Sequence, residues 1–298
     1  MKLLFTGASG FLGRNIYQLL EKTYVIKTVG LTPQDDYKID IARNIPVFTE
    51  VFDIALHAAG KAHSTPKTEE EKQAFFDVNL QGTKNLCTAL EQSGIPKAFI
   101  FISTVAVYGC DSGENITEEH PLNGTTPYAL SKIKAEKYLQ GWCAMHNVKL
   151  SILRPSLIAG PNPPGNLGAM IHGIKTNKYL SIAGGKARKS VLMVQDIANL
   201  FPMLIEKGGI YNVCDSYQPS FRELEMVMCK QLNKKTPISI PYWLAKSMAV
   251  MGDCLGAKAP INSLKLRKIT SSLTFSNEKA VRELGWKPMN VLENFRIE

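Results

Sequence analysis

A short apolar run, Lys2 to Thr6, passes directly into Gly7-Ala8-Ser9-Gly10-Phe11-Leu12-Gly13 and then into the helix-forming stretch Arg14 to Leu20. This strand, glycine turn and helix constrain the fold more than any other feature of the chain. The first glycine permits a tight turn, the second lets backbone approach a pyrophosphate, and the third lets helix and strand pack closely. The amides at the start of the helix then face the anion. The opening residues look superficially like a signal peptide, but their apolar run is short and breaks at glycine, so it reads as a first strand.

The rest of the first half repeats that alternation. Short apolar runs at Val25 to Leu31, Asp53 to Ala58, Ala98 to Ser103 and Leu150 to Arg154 are separated by helical stretches, and a further run, Ile210 to Val213, follows after a gap. Apolar residues at helical spacing (Phe75, Phe76, Val78, Leu80, Leu86, Leu90) predict one crossover helix over Glu69 to Gln92, with acidic residues in its first turn and Gly94 beyond its end. Thr126-Pro127 predicts the start of another, running to about Met145: threonine caps the free amides, and proline loses no needed donor in the first turn. The expected fold is therefore α/β, a doubly wound parallel sheet of the Rossmann kind. Gly160-Pro161-Asn162-Pro163-Pro164-Gly165 forbids regular structure and reads as a hinge. It divides a dinucleotide-binding domain (1–165) from a smaller mixed α/β C-terminal substrate lobe (166–298), with the strand near 210–213 returning to the first.

Composition enters as a set of exclusions. No run approaches the roughly 18 apolar residues of a membrane-spanning helix. Trp243 to Leu255 mixes apolar and polar residues in helical fashion; it could attach to a membrane surface, but the expectation is a core helix of the smaller lobe, with no membrane partner. Cys87, Cys110, Cys143, Cys214, Cys229 and Cys254 show no Cys-x-x-Cys spacing, which argues against a metal site and a disulfide framework and fits a cytoplasmic protein. The net charge of +9 is not gathered with aromatics into a stripe, so nucleic acid is not expected, and a phosphate-rich small substrate accounts for it equally well.

Further motifs follow in order: Asp40-Ile41, His57-Ala58-Ala59-Gly60, Asn79 in Val78-Asn79-Leu80-Gln81-Gly82-Thr83, Ser103-Thr104-Val105-Ala106-Val107-Tyr108-Gly109, Tyr128-Ala129-Leu130-Ser131-Lys132, Arg154-Pro155 and Leu284-Gly285-Trp286-Lys287-Pro288. Together with the opening turn they resemble the extended short-chain dehydrogenases, the group of nucleotide-sugar epimerases, dehydratases and reductases. The resemblance covers nearly the whole chain. It implies a dinucleotide held by Gly7, Gly10, Phe11, Leu12, Gly13, Asp40, Ile41, Ala58, Ala59, Gly60, Asn79, Ser103, Tyr128 and Lys132, with Asp40-Ile41 at the adenine. It further implies a nucleoside-diphosphate sugar as substrate, held by His63, Thr104, Asn166, Arg188 and Lys189, and a homodimer formed through helices that include the Tyr128 segment.

The catalytic residues implied are Thr104, Tyr128 and Lys132. Tyr128 and Lys132 stand four apart on a predicted helix, so they share a face. A nearby ammonium and a positively charged nicotinamide would both favour the phenolate of a tyrosine whose ordinary pKa is near ~10. Thr104 follows an apolar strand, at the sheet edge where ligands bind, and Ser103 is the alternative for its role. The dehydratases of the group carry aspartate then glutamate after this threonine. Here Val105-Ala106 supply no acid or base, which removes the chemistry of water elimination.

Of the hydride-transfer readings the leading one is an epimerase that oxidises a UDP-sugar at C4 and returns the hydride, and the alternative is a 4-keto-sugar reductase. Many sugar 4-epimerases have asparagine at the position of Leu157, and where the family commonly has an arginine seven residues before Asp196 this chain has Lys189, with Arg188 beside it. A non-catalytic dinucleotide-binding protein is the reading from another class, and the intact Thr104, Tyr128 and Lys132 argue against it. NAD is the expected cofactor and NADP remains open: Asp35 and Asp36 come late after the second strand, and Arg14 stands where it could meet a 2′-phosphate.

Overall fold

The computed structural model describes residues 1–62, 64–255 and 261–297. The first half contains β1 (Lys2–Thr6), α1 (Phe11–Leu20), β2 (Val25–Gly30), β3 (Tyr37–Lys38), β4 (Ile54–His57), α2 (Glu69–Phe76), α3 (Gly82–Ser93), β5 (Ala98–Ile102), β6 (Gly113–Ile116), α4 (Pro127–Met145) and β7 (Lys149–Pro155). Strands sit where the apolar runs predict them. The helix expected as one piece between residues 69 and 92 is broken, because residues Asp77–Gln81 form a π-helical turn between α2 and α3. Inside that turn Asn79 is fully buried, and the Thr83 hydroxyl donates to its carbonyl at 2.7 Å. Such widened turns place a side chain that a regular helix would direct elsewhere.

The remaining elements are β8 (Leu157–Ala159), α5 (Gly165–Lys175), β9 (Ser181–Ile182), β10 (Val191–Met193), α6 (Gln195–Lys207), β11 (Gly209–Val213), α7 (Phe221–Gln231), β12 (Ser239–Ile240), α8 (Tyr242–Leu255), α9 (Ser263–Thr270), β13 (Leu273–Phe275), α10 (Glu278–Leu284) and α11 (Val291–Asn294). Seven strands form one parallel sheet in the order β11-β7-β5-β4-β1-β2-β3. The chain runs outward from β1 to β3, then returns to β4 and proceeds the other way. The switch point therefore lies between β1 and β4, at the end of β1 where the glycine turn begins.

Both faces of the sheet are covered, so its central strands are apolar throughout and not alternating. One face packs Leu3, Phe5, Leu56 and Ile100 against Ile16 of α1, Phe201 and Leu204 of α6, and Trp286. The other packs Leu4, Ala55, Phe99 and Phe101 against Leu86 and Leu90 of α3 and Leu139 and Trp142 of α4. Residues of α6, β11 and α10 thus contribute to the core of the large sheet although they follow the proline-rich hinge in sequence. The smaller lobe is assembled around Met170, Ile174, Leu224, Met228 and Phe295, beside the two-stranded parallel pair β8 and β10.

Helix α8 does not behave as the expected core helix. Among its described side chains it buries only the small residues Ala245, Ala249 and Gly252, while Trp243 is 68% and Met251 72% exposed. Small residues let α8 sit close to Leu266 of α9, and their spacing points the large side chains away from the lobe. Among the described residues no helix is long and apolar enough to cross a membrane.

Candidate active site

The glycines of the opening turn are required by contacts as well as by conformation. Gly7 has φ +80°, and a Cβ there would lie 2.5 Å from the Ala59 amide nitrogen. A Cβ on Gly13 would lie 2.3 Å from the Gly7 carbonyl oxygen, so this glycine seats the helix on the strand. Gly10 is different: its Cβ would meet protein only at 3.3 Å, on the Gly7 oxygen. Gly10 is also the N-cap of α1 and supplies no side-chain acceptor, leaving the first amides of the helix without a capping partner. Those donors open into a cleft of about 510 Å³ lined by Gly7, Gly10, Phe11, Leu12, Gly13, Arg14, Ala58, Gly60, Ile102, Ser103, Thr104, Tyr128, Lys132, Ser156 and Leu157, among others.

The three predicted catalytic residues meet in this cleft. Helix α4 begins as predicted, with the Thr126 hydroxyl accepting from the Ala129 amide at 3.2 Å and Pro127 in its first turn. It carries Tyr128 and Lys132 toward the end of β5. The Thr104 hydroxyl accepts from the Ala106 amide at 3.2 Å, which leaves its own proton for Tyr128, with which it hydrogen-bonds. Burial nevertheless pushes the Tyr128 phenol above its ordinary value, and the Thr104 hydrogen bond only partly offsets this. The lowering expected from a neighbouring ammonium is therefore not realised in the protein by itself. Lys132 is almost fully buried, donates to the Ile102 carbonyl at 2.9 Å and stands 4.6 Å from the centre of the Phe101 ring. Desolvation lowers its pKa to about 8, against the charge of Glu136, which raises it.

Asn79 and Gly60 complete the floor. A Cβ on Gly60 would lie 3.1 Å from both the Asn79 side-chain oxygen and the Lys132 Nζ, a tight approach that a side chain would have to push apart. The Asn79 side chain accepts from the Lys61 amide at 2.7 Å and donates to the Ser131 hydroxyl at 2.9 Å, tying α4 to the loop after β4. Below it lies His57, whose pKa falls to about 3 through burial and the Lys132 charge, which makes it neutral. Its tautomer follows from its partners. The Thr83 hydroxyl already donates to the Asn79 carbonyl, so His57 Nε2 donates to Thr83 at 2.9 Å and Nδ1 accepts from Thr6 at 2.6 Å.

Ser103 is not interchangeable with Thr104, because its hydroxyl donates to the Glu136 carboxylate. Glu136 in turn pairs with Arg154 at 2.6 Å, and Arg154 donates to the Tyr108 hydroxyl at 3.0 Å, which donates to Asn212 at 2.6 Å. Glu136 and Arg154 are both essentially buried. Sequence reasoning missed this ion pair, although Glu136 stands four residues after Lys132 on the same helical face. It also missed Ser156, a cleft-lining residue whose buried hydroxyl has no hydrogen-bond partner among the described residues.

The other sequence candidates lie as follows. Ala59 gives its amide to the Thr6 hydroxyl at 3.2 Å. Asp40 accepts from the Ala42 amide at 3.0 Å in a tight turn, and Ile41 is buried against Gly82. Asp36 is engaged with the Thr28 amide and Lys27, whereas Asp35 folds back so that its carboxylate lies against Gly30, at the end of β2. The Arg14 amide donates to the Gly10 carbonyl at 2.9 Å, but its guanidinium makes no hydrogen bond or ion pair among the described residues, and the residue lines the cleft. Asn166 is exposed in the first turn of α5. Arg188 and Lys189 are not brought to the cleft: Arg188 donates to the Gln218 carbonyl at 2.5 Å and pairs with Glu223 at 3.7 Å, and Lys189 donates to the Ser271 carbonyl at 2.9 Å. His63 lies outside the described residues.

Residues 3–214 match the NAD dependent epimerase/dehydratase family. The chain is 28% identical over 296 residues to the N-acetyl-alpha-D-glucosaminyl-diphospho-ditrans,octacis-undecaprenol 4-epimerase of Escherichia coli O157:H7, covering 93% of this chain and 88% of that one. It is 28% identical over 240 residues to GDP-6-deoxy-D-mannose reductase of Pseudomonas aeruginosa, covering 75% and 77%. The solved structure of UDP-glucuronic acid 4-epimerase from Bacillus cereus, in complex with UDP-glucuronic acid and NAD, superposes with a TM-score of 0.74 at 19% identity, covering 99% and 96%.

Proposed function

The chain belongs to the NAD dependent epimerase/dehydratase family, and from that premise we propose that it is a nucleotide-sugar 4-epimerase acting on a UDP-sugar. The observation that carries this reading is the hydrogen-bonded Thr104 and Tyr128 pair above buried Lys132, facing the uncapped start of α1 across one cleft. The residues fit a dinucleotide. The unpaired amides after Gly10 would hold its pyrophosphate, the floor of Gly60 and Asn79 would accept its nicotinamide half, and Asp40 and Ile41 would lie toward its adenine. A bound NAD would supply the hydride acceptor for the sugar carbon and the hydride for its return.

The protein's own residues handle the proton. Tyr128 takes it from the sugar hydroxyl and gives it back after the sugar has turned, while Thr104 holds the shared oxygen in place by hydrogen bonding. Because burial raises the Tyr128 pKa, the phenolate depends on the cationic ring of the bound cofactor as well as on Thr104. Ser156 offers its unpartnered hydroxyl to the substrate beside Leu157, and Asn166 lies at the start of α5, in the lobe we assign to the nucleoside diphosphate. Arg188 and Lys189 would reach a diphosphate only by exchanging the carbonyl partners they hold. Asp35 supports NAD, since its carboxylate at the end of β2 would repel a 2′-phosphate.

A second reading, a 4-keto-sugar reductase, is favoured by Arg14, an unpaired guanidinium lining the cleft beside the pyrophosphate turn, where a 2′-phosphate of NADPH would find it. A polyprenol carrier, as named for the Escherichia coli relative, would leave the Tyr128 chemistry unchanged. We place the enzyme in the cytoplasm as a homodimer packed through α4. The test is the mass and absorbance of the dinucleotide retained by purified protein, followed by a panel of UDP-sugars. Retained NAD with interconverted sugars and no net change near 340 nm is expected. Stoichiometric consumption of reduced cofactor with a keto sugar would make it a reductase, and the absence of both binding and turnover would make it non-catalytic.

A further inference from the structure

Helix α8 presents the reverse of an ordinary surface helix. Ala245, Ala249 and Gly252 face inward, and the opposite side carries Trp243 at 68%, Val250 at 55% and Met251 at 72% exposure. Large apolar side chains exposed along one helix face, with an aromatic in its first turn, mark a surface that meets something other than water. The charge around it is one-sided. Residues 230–270 hold eight lysines and arginines and a single acidic residue, Asp253, so most of the chain's net charge of +9 resides here. Lys246 lies on the flank of α8 and Lys235 is exposed on the segment before it, while Lys268 of α9 is turned to Asp111 at 3.7 Å. Asp253 is itself turned to the start of α9, accepting from the Ser263 amide at 2.9 Å.

An apolar face with tryptophan on a strongly basic segment suits the plane of an anionic bilayer, where acyl chains take the apolar groups and phosphates the ammonium groups. At 14 residues α8 measures about 21 Å, too short for a hydrocarbon core of roughly 30 Å. A second copy of this chain would bring the two basic segments against each other across a two-fold axis, which opposes dimerisation through this face. We propose that α8 docks the protein reversibly on anionic membrane surfaces through the face bearing Trp243, Val250 and Met251. The docked element is tied to the catalytic half, since Arg267 of α9 pairs at 2.6 Å with Asp111, shortly after the segment that carries Thr104. The docking does not depend on the proposed function.

The test is flotation of the full chain with vesicles of phosphatidylcholine containing about 30 mol % phosphatidylglycerol, against pure phosphatidylcholine, with no sugar present. Binding is expected to be about tenfold stronger on the anionic vesicles and to weaken with salt. Trp243 fluorescence should shift to the blue on binding, a specific signal because Trp142 and Trp286 are only 5% and 3% exposed. The double variant Val250→Asp/Met251→Asp should lose flotation by about tenfold or more while keeping its dinucleotide and any sugar turnover. Should it lose the dinucleotide through misfolding, Met251→Ser replaces it. Absence of flotation, flotation without a shift of Trp243, or a lipid-free dimer dispersed by the same substitutions would each overturn the proposal, the last in favour of a second copy.

Discussion

In the proposed reaction Tyr128, Thr104 and Lys132 divide one task by environment. Burial holds the Tyr128 phenol protonated, Thr104 opposes that, and Lys132, pulled to about 8, keeps a positive charge beneath them at neutral pH. Tyr128→Phe is expected to lower kcat by about 10²- to 10⁴-fold with the dinucleotide still retained, read by steady-state kinetics and mass. Thr104→Val should cost less, because it removes a hydrogen bond and not the base. Lys132 also leaves a mark on stability. Its folded pKa lies below its unfolded one, so its desolvation penalty is complete below about pH 8 and is relieved as pH rises from there toward 10.5. Denaturant titrations from pH 7 to 10 should show this rise in the native chain relative to Lys132→Met. Asp35→Ser should raise the ratio of NADP to NAD affinity, measured by titration of each dinucleotide, if the carboxylate at Gly30 selects the cofactor.

The glycine turn separates fold from function within one element. Gly13→Ala drives a methyl into the Gly7 carbonyl and should destabilise the protein by about 1–3 kcal/mol as well as abolish dinucleotide retention. Gly10→Ala meets no such obstacle and should cost less than about 1 kcal/mol while still weakening the dinucleotide, because the methyl occupies space that the cleft leaves for a phosphate. Thermal melts and cofactor titration distinguish the two. Helix α6 shows how a distant segment is held. Asp196 accepts from the Met289 amide at 3.0 Å and the Trp286 indole at 3.4 Å, which clamps the segment after α10 onto the large sheet. Desolvation raises this carboxyl to about 6. Asp196→Ala leaves both donors without this acceptor and is expected to cost about 1–3 kcal/mol in chemical denaturation.

At the scale of the whole molecule, the pair of Glu136 and Arg154 joins α4 to β7, and through Tyr108 and Asn212 it reaches β11 at the sheet edge. Removing one partner leaves the other charged and buried, so Arg154→Met alone should cost about 3–5 kcal/mol, and Glu136→Gln/Arg154→Met together distinctly less. Denaturation midpoints of the two single variants and the double variant test this coupling. The pair also accounts for the division of labour between adjacent hydroxyls, since Ser103 faces Glu136 while Thr104 is left for Tyr128.

The sequence by itself determined the local pieces: the glycine turn, the parallel strands, the cap and proline that start α4, and the spacing that puts Tyr128 and Lys132 on one face. Each is written in contiguous residues, through the steric demands of glycine and proline and the periods of helix and strand. Only the tertiary structure decided the rest. It set the reversal of strand order between β1 and β4, the break at Asn79, and the Ile102 carbonyl as the partner of Lys132. It also committed Arg188 and Lys189 to carbonyls away from the cleft and turned the large apolar side chains of α8 outward. These depend on which distant groups come within hydrogen-bonding or packing distance, and no local period or turn signal in the sequence specifies that.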